Sequence, residues 1–235
     1  MFRMSHKGRQ IKEMFSGIAP RYDFLNRLLS LGCDIRWRRY AVCKIDYGSE
    51  GRILDVATGT GDMALHLAET TPASVSIVGI DFCQEMIDIA KSKTGNSSQP
   101  DRLQFAVAPC EMIPFRDCTF DSVTIAFGVR NLDDRRQGLG EIYRVLKTGG
   151  KLVILEFSIP RNKIFRSLYQ LYFHRILPII GGLFSKLSAY EYLPESVYQF
   201  PPREEFKVHL TRCGFTDVVH EDLTFGIVTV FTGRK

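Results

Sequence analysis

Residues 52–64 read RILDVATGTGDMA, an apolar run that breaks into glycine, and Gly59, Gly61 and Ala64 fit the G-x-G-x-x-A spacing of a nucleotide-binding turn. Short glycine patterns also arise by chance, so the flanking residues decide. A dehydrogenase fingerprint runs from its strand straight into the first glycine, and a pyrophosphate then rests on the next helix N-terminus. Here Asp55 stands four residues before Gly59. A carboxylate in that place repels a pyrophosphate but suits the ammonium end of an amino-acid ligand, directly or through water. Gly59 and Gly61 let the backbone approach that ligand, and Thr60 adds a hydroxyl beside it.

Outward from this turn, short apolar runs alternate with helix-period segments, the pattern of a parallel sheet with crossover helices. Strands are expected over 53–57, 75–81, 103–107, 122–127 and 151–157, and helices near 62–71, 83–93 and 134–146, the last stopped by KTGG at 147–150. A helix near 203–213 follows, and the runs FTDVVHEDL and GIVTVFTGRK pair as a closing hairpin. Asp81 ends the second strand, where an acid can accept both ribose hydroxyls of a nucleoside. The loop VAPCEMIPF at 107–115 then flanks the adenine. An acid before the glycines, an acid after the second strand and a terminal hairpin behind five parallel strands describe a class I S-adenosylmethionine-dependent methyltransferase. The expected fold is α/β, a Rossmann-like doubly wound sheet with a terminal antiparallel hairpin.

With 235 residues, 45% hydrophobic and 24% charged, the chain suits one folded domain with a small cover. Its longest suspicious apolar piece, ILPIIGGLF at 176–184, is far short of the roughly 20 residues that span a bilayer, and the N-terminus lacks a secretory signal. A cytoplasmic location follows. The six cysteines form no C-x-x-C pair and have no matching histidine cluster, so no metal site is expected. Residues 1–47 hold ten Lys/Arg against four acids. This basic, helical segment suits nucleic acid, an anionic membrane surface or plain solvation. The chain divides into this segment, a cofactor-binding core over 48–158, a substrate-covering helical segment over 159–202, and a final helix and strands over 203–235.

The chain resembles the C-methyltransferases of menaquinone and ubiquinone biosynthesis over nearly its whole length. The likeness is carried by YDFLNRLLSLGCDIRW at 22–37, RVLKTGGKLVILEFS at 144–158, FGVRN at 127–131 and YEYLPESV at 190–197. Three positions depart from the family pattern: Asp34 replaces a usual His, Thr148 a usual Pro or Val, and Pro109 a usual Asp or Asn. With Pro109 in the adenine loop, adenine contact falls to backbone groups around Cys110 and to Ile113 and Phe82. Cofactor positions carried over by motif are Thr60, Asp81, Pro109, Cys110 and Ala126, the last through its backbone.

The resemblance implies methyl transfer from S-adenosylmethionine to a ring carbon of a prenylated quinol, most simply demethylmenaquinol, with no metal. A quinol carbon becomes nucleophilic when a hydroxyl loses its proton, so a phenolate must be stabilised. Arg130 and Asn131, beyond the fourth strand, are the first candidates for that oxygen, with a structural ion pair as the other reading of Arg130. His174 is a candidate proton acceptor, and Tyr190, Tyr192 and Ser196 are candidate quinol contacts.

If 164–177 is helical, Ile164, Phe165, Leu168, Leu171, Tyr172 and Ile176 share an apolar arc with Arg175 near its middle, suited to packing on the sheet or to resting on a membrane. Other readings stay open: methylation of another apolar molecule or of RNA, and a non-enzymatic lipid-binding module.

Overall fold

The computed structural model describes residues 4–95, 102–172, 175 and 188–235, with the backbone alone for 188–191. Its centre is a seven-stranded sheet of β1 (Arg52–Val56), β2 (Ser76–Asp81), β3 (Leu103–Val107), β4 (Phe120–Ala126), β5 (Leu146–Phe157), β6 (Thr216–Leu223) and β7 (Val228–Arg234) in the order β3-β2-β1-β4-β5-β7-β6. The first five run parallel, and β7 lies antiparallel to both β5 and β6. Ile53, Leu54, Asp55 and Val56 are all buried, as a central strand covered on both faces requires.

The strand order reverses between β1 and β4, so their exits diverge and open a crevice at the carboxyl edge. Ala57 and Phe127, the first residues beyond these strands, both hold left-handed backbone, with φ 51° and 58°. A Cβ added to Gly128 would stand 2.6 Å from the Ala57 Cβ, so glycine is what lets the two exits touch.

Helices α4 (Asp62–Thr70), α5 (Gln84–Thr94) and α6 (Arg135–Val145) are the crossovers. KTGG does not sit in a loop after α6. The helix stops at Val145, and residues 146–150 already belong to β5, because Gly149 and Gly150 exchange backbone bonds with Lys235 at the end of β7.

The N-terminal residues form α1 (His6–Ile18), α2 (Tyr22–Leu29) and α3 (Cys33–Val42). Ser5 caps α1 by accepting from the Gly8 N–H at 3.1 Å. Trp37, Ala41 and Val42 of α3 join the core beneath the sheet, while Phe15 and Tyr22 pack on Cys83 and Met86.

After β5 come α7 (Lys163–Leu171), α8 (Ser188–Tyr198) and α9 (Arg203–Arg212). Tyr169 of α7 is buried against Leu25, with Leu29, Leu193 and Ile227 around them. The expected arc therefore faces elsewhere: Ile164, Leu168 and Leu171 are 71%, 57% and 54% exposed. The reason is that α7 rests on α2 through Tyr169 instead of on the sheet. Arg175 is exposed, so it is no buried charge, and Ile176 lies outside the described residues.

Candidate functional site

A narrow cleft crosses the carboxyl ends of β1, β2 and β4, and Gly59, Asp81, Phe82, Pro109, Cys110, Ala126 and Asn131 line it. Asp81 is buried; its Oδ2 accepts the Gly59 N–H at 2.9 Å and its Oδ1 the Cys83 N–H at 2.9 Å. Burial pushes this carboxyl up to about 6, against the pull of those N–H groups. Gly59 holds φ +57°, and among the described residues the only atom near a Cβ built there is Tyr22 Cε1 at 3.8 Å, so the missing side chain leaves the cleft open.

The rest of the loop works from behind. Asp55 does not line the cleft; it is wholly buried and accepts from the Thr58 and Thr124 hydroxyls at 2.6 and 2.7 Å. It therefore shapes the turn by bonding β1 to its loop and to β4, and burial raises it too to about 6. Thr60 donates its hydroxyl to Asp23 of α2, and Gly61, with φ +86°, turns the chain into α4 where a Cβ would press on Ala90 at 3.0 Å. Ile113 is also turned inward, buried among core residues that include Phe120 and Ile142.

Beside the cleft lies a larger apolar cavity of about 390 Å³, within the range of small-molecule sites. Phe15, Tyr22 and Phe127 belong to both and form the partition between them. Arg130 lines the larger space. Its Nη1 donates to Glu156 Oε1 and to the Phe127 carbonyl, each at 2.6 Å, and its guanidinium lies 5.3 Å from the Phe157 ring centroid. Glu156 is fully buried. The ion-pair reading of Arg130 thus holds geometrically, yet Nη2 has no hydrogen-bond partner among the described residues.

Asn131 and Tyr192 link the two spaces. Tyr192, on the cavity wall, donates its hydroxyl to Asn131 Oδ1 at 2.9 Å, and Asn131 lines the cleft. Ser196 does not line the cavity; its hydroxyl accepts from Arg130 Nε at 3.3 Å and holds that side chain from behind. His174 lies outside the described residues, and so does the Tyr190 side chain.

Other cavity residues carry no signal of their own in a single sequence. Tyr22, Asn26, Asp34, Trp37 and Arg38 all come from the basic N-terminal segment, where the signature at 22–37 carries the resemblance without assigning these side chains a role, and they form one wall. Burial raises the Tyr22 phenol above its ordinary value, so it stays protonated and able to donate. Glu156 looked like one more residue of a strand. The apolar flanks of YDFLNRLL were the available clue, because a surface helix that faces only water has no need of them.

Residues 3–235 match the ubiE/COQ5 methyltransferase family. The chain is 60% identical over 235 residues, all of both chains, to a protein of Geotalea daltonii named ubiquinone/menaquinone biosynthesis C-methyltransferase UbiE. It is 49% identical over 223 residues, 94% of this chain and 100% of the relative, to a demethylmenaquinone methyltransferase of Thermus thermophilus. Among solved structures, a SAM-dependent methyltransferase of Thermotoga maritima, described as a possible histamine N-methyltransferase, superposes with a TM-score of 0.68 at 20% identity, covering 95% of this chain and 99% of its own. That last likeness is one of fold.

Proposed function

The chain belongs to the ubiE/COQ5 methyltransferase family, and from that premise we propose that it methylates a ring carbon of a prenylated quinol with S-adenosylmethionine, demethylmenaquinol to menaquinol being the foremost case. The observation that carries the reading is the aromatic partition, which sets a cleft floored by the Asp81 carboxylate and an apolar cavity wall to wall with Arg130 and Asn131 at their border.

The cleft suits S-adenosylmethionine. Asp81 offers acceptors to ribose hydroxyls, Gly59 leaves space, and Ile11, Phe82, Met86 and Leu132 present apolar surface for the adenine. When bound there, the sulfonium supplies a methyl group as an electrophile. The protein's own part is to hold the quinol ring on the far side of the partition and to favour the phenolate. Arg130 does the second, as a fixed cation aimed at the developing charge, while Glu156 and Ser196 keep it from turning away. Asn131, clamped by Tyr192, positions the border between the two ligands.

Removing the Asp81 carboxylate weakens cofactor binding by about 1.5–3 kcal/mol, roughly ten- to more than a hundredfold, in calorimetry of Asp81→Ala. The same contact is pH-dependent. Hydroxyls donate to the ionised form, and the free protein protonates Asp81 near pH 6. Affinity is therefore full above that pH and falls by up to about tenfold per unit below it. Asp81→Asn abolishes that slope. An Asp81→Ala protein that binds S-adenosylmethionine as the parent does removes Asp81 from the site.

The apolar residues around the cavity mouth point to where the quinol arrives. Leu31 and Leu168, which line the cavity, are 85% and 57% exposed, and Ile164, Leu171 and Phe225 are further exposed apolar side chains next in sequence to the lining residues Phe165, Tyr172 and Thr224. No described helix is long and apolar enough to cross a membrane. A protein that works at the inner face of a membrane, resting on it through this rim, would admit the ring while the prenyl tail stays in lipid.

Three of the ten cations of the basic segment, Arg27, Arg38 and Lys44, are paired with Asp34, Asp62 and Glu221. Ile164→Asp combined with Leu171→Asp is expected to reduce co-sedimentation with vesicles and kcat/KM for long-tailed quinols. Activity on a short-tailed quinol stays unchanged. Equal loss on both substrates, or unaltered vesicle binding, defeats this part of the reading.

A further inference from the structure

Two guanidinium groups line the larger cavity, and the phenolate accounts for one of them. The other belongs to Arg38. It is only 6% exposed, in a space walled chiefly by Phe, Leu, Tyr and Trp side chains. Its Nη1 donates to Asp34 Oδ2 at 2.5 Å. Its Nε and Nη2 make no hydrogen bond among the described residues. Neither atom is among the fully enclosed polar atoms, so both open on the cavity and become buried donors in need of an acceptor once a ligand fills it.

The surroundings show what shape that acceptor takes. Phe127 and Phe157 lie 4.6 Å apart between ring centroids, with Trp37 edge-on to both at 6.2 Å. Arg38 stands 5.5 Å from the Phe127 centroid and Arg130 stands 5.3 Å from that of Phe157. The two cations therefore bracket one aromatic pair. Each is fixed by a buried carboxylate, Asp34 for Arg38 and Glu156 for Arg130. Asp34 is itself anchored by Arg27 and by the Ser30 hydroxyl at 2.8 Å, so Arg38 is held from behind with its fork free in front. Both guanidinium groups line the one cavity, and a flat ring with two oxygens can offer an acceptor to each, whereas a ring with one oxygen leaves one cation unanswered.

We infer that Arg38, oriented by Asp34, binds the second ring oxygen of the quinol, para to the oxygen that Arg130 receives. It thereby makes the enzyme selective for aromatic 1,4-diols over monophenols. This rests on the quinol reading above and adds to it a specificity residue from the N-terminal wall of the cavity. The physical ground is that a site built to hydrogen-bond a hydroxyl rejects an analogue lacking it, because the site's own buried donor is then left alone.

The test compares two probes under anaerobic, reducing conditions: a short-prenyl 1,4-naphthohydroquinone, and the same ring with hydrogen in place of the hydroxyl remote from the methylated carbon. Dissociation constants are measured without cofactor by equilibrium dialysis, and kcat and KM with it. The parent is expected to bind the diol roughly ten- to a hundredfold more tightly than the monophenol. In Arg38→Met the diol falls to the level of the monophenol, whose own affinity does not move, and kcat for the diol changes little. A parent that binds both probes equally overturns the inference. So does an Arg38→Met protein that loses both probes alike, which is the mark of a merely structural residue.

Should Arg38→Met fail to fold, Arg38→Lys keeps a charge for Asp34 without the planar fork, and undiminished discrimination in that variant counts against the inference. Absence of binding and methyl transfer for either probe in the parent is a different failure, that of the quinol reading itself.

Discussion

An Arg130→Ala enzyme turns over about a hundred- to a thousandfold more slowly than the parent, with cofactor affinity nearly unchanged. That magnitude is the usual cost of deleting one preorganised group that faces developing negative charge in a dry site. The side chain is 8% exposed and opens on the apolar cavity, so no water takes its place at the phenolate. Arg130→Lys keeps the charge but gives up the fork that spans Glu156, the Phe127 carbonyl and Ser196, and a smaller fall in kcat is expected. Single-turnover rates, with cofactor affinity as the control, decide the matter. Near-parental rates in a folded Ala variant leave the pair with Glu156 as the whole of its role.

Glu156→Ala should be the most damaging single change for stability, by about 3–5 kcal/mol in urea unfolding. The carboxylate is fully buried and accepts three times: from Arg130 Nη1 at 2.6 Å, from the Arg130 backbone N–H at 3.2 Å and from the Phe157 N–H at 2.8 Å. Its loss strands a cation against Phe157 and orphans two backbone donors at the exits of β4 and β5. Glu156→Gln retains acceptors but not charge, so it should fold better than Ala and still lower kcat, because Arg130 is no longer held. An Ala variant as stable as the parent would mean that water reaches Arg130 freely, and the dry-cavity account above would fall with it.

The central strands and crossover helices were legible because their signals are local. β1 is a buried apolar run ending in glycine, and Asp81 stands at a strand end by its own sequence. What escaped depended on partners distant in the chain. Asp55 reads as a ligand contact by its place before the glycines, whereas its carboxylate is taken up by Thr58 and by Thr124, 69 residues away. KTGG carries the chemistry of a helix stop, yet Lys235 draws it into the sheet. Periodicity placed apolar residues on one arc of α7 correctly as a pattern. It could not say that Tyr169, seated on Leu25 of α2, would choose which arc turns inward. The cavity wall from α2 and α3 was hidden for the same reason: charge is visible in a sequence, but the carboxylates that absorb it lie elsewhere.

The aromatic partition also governs traffic. Phe15, Tyr22 and Phe127 leave each ligand its own door. On the cofactor side Gly8 and Ile11 of α1, with Met4 just before it, line the cleft. That helix is held by exposed bonds from Ser5 to Asp133 and from Ser16 to Glu85 and by the packing of Phe15 on Cys83 and Met86. On the other side the way out lies between Leu31 and Leu168. With the cofactor in the cleft and the quinol in the cavity, as proposed above, the two products would leave by separate openings, one past α1 and the other past Leu31 and Leu168.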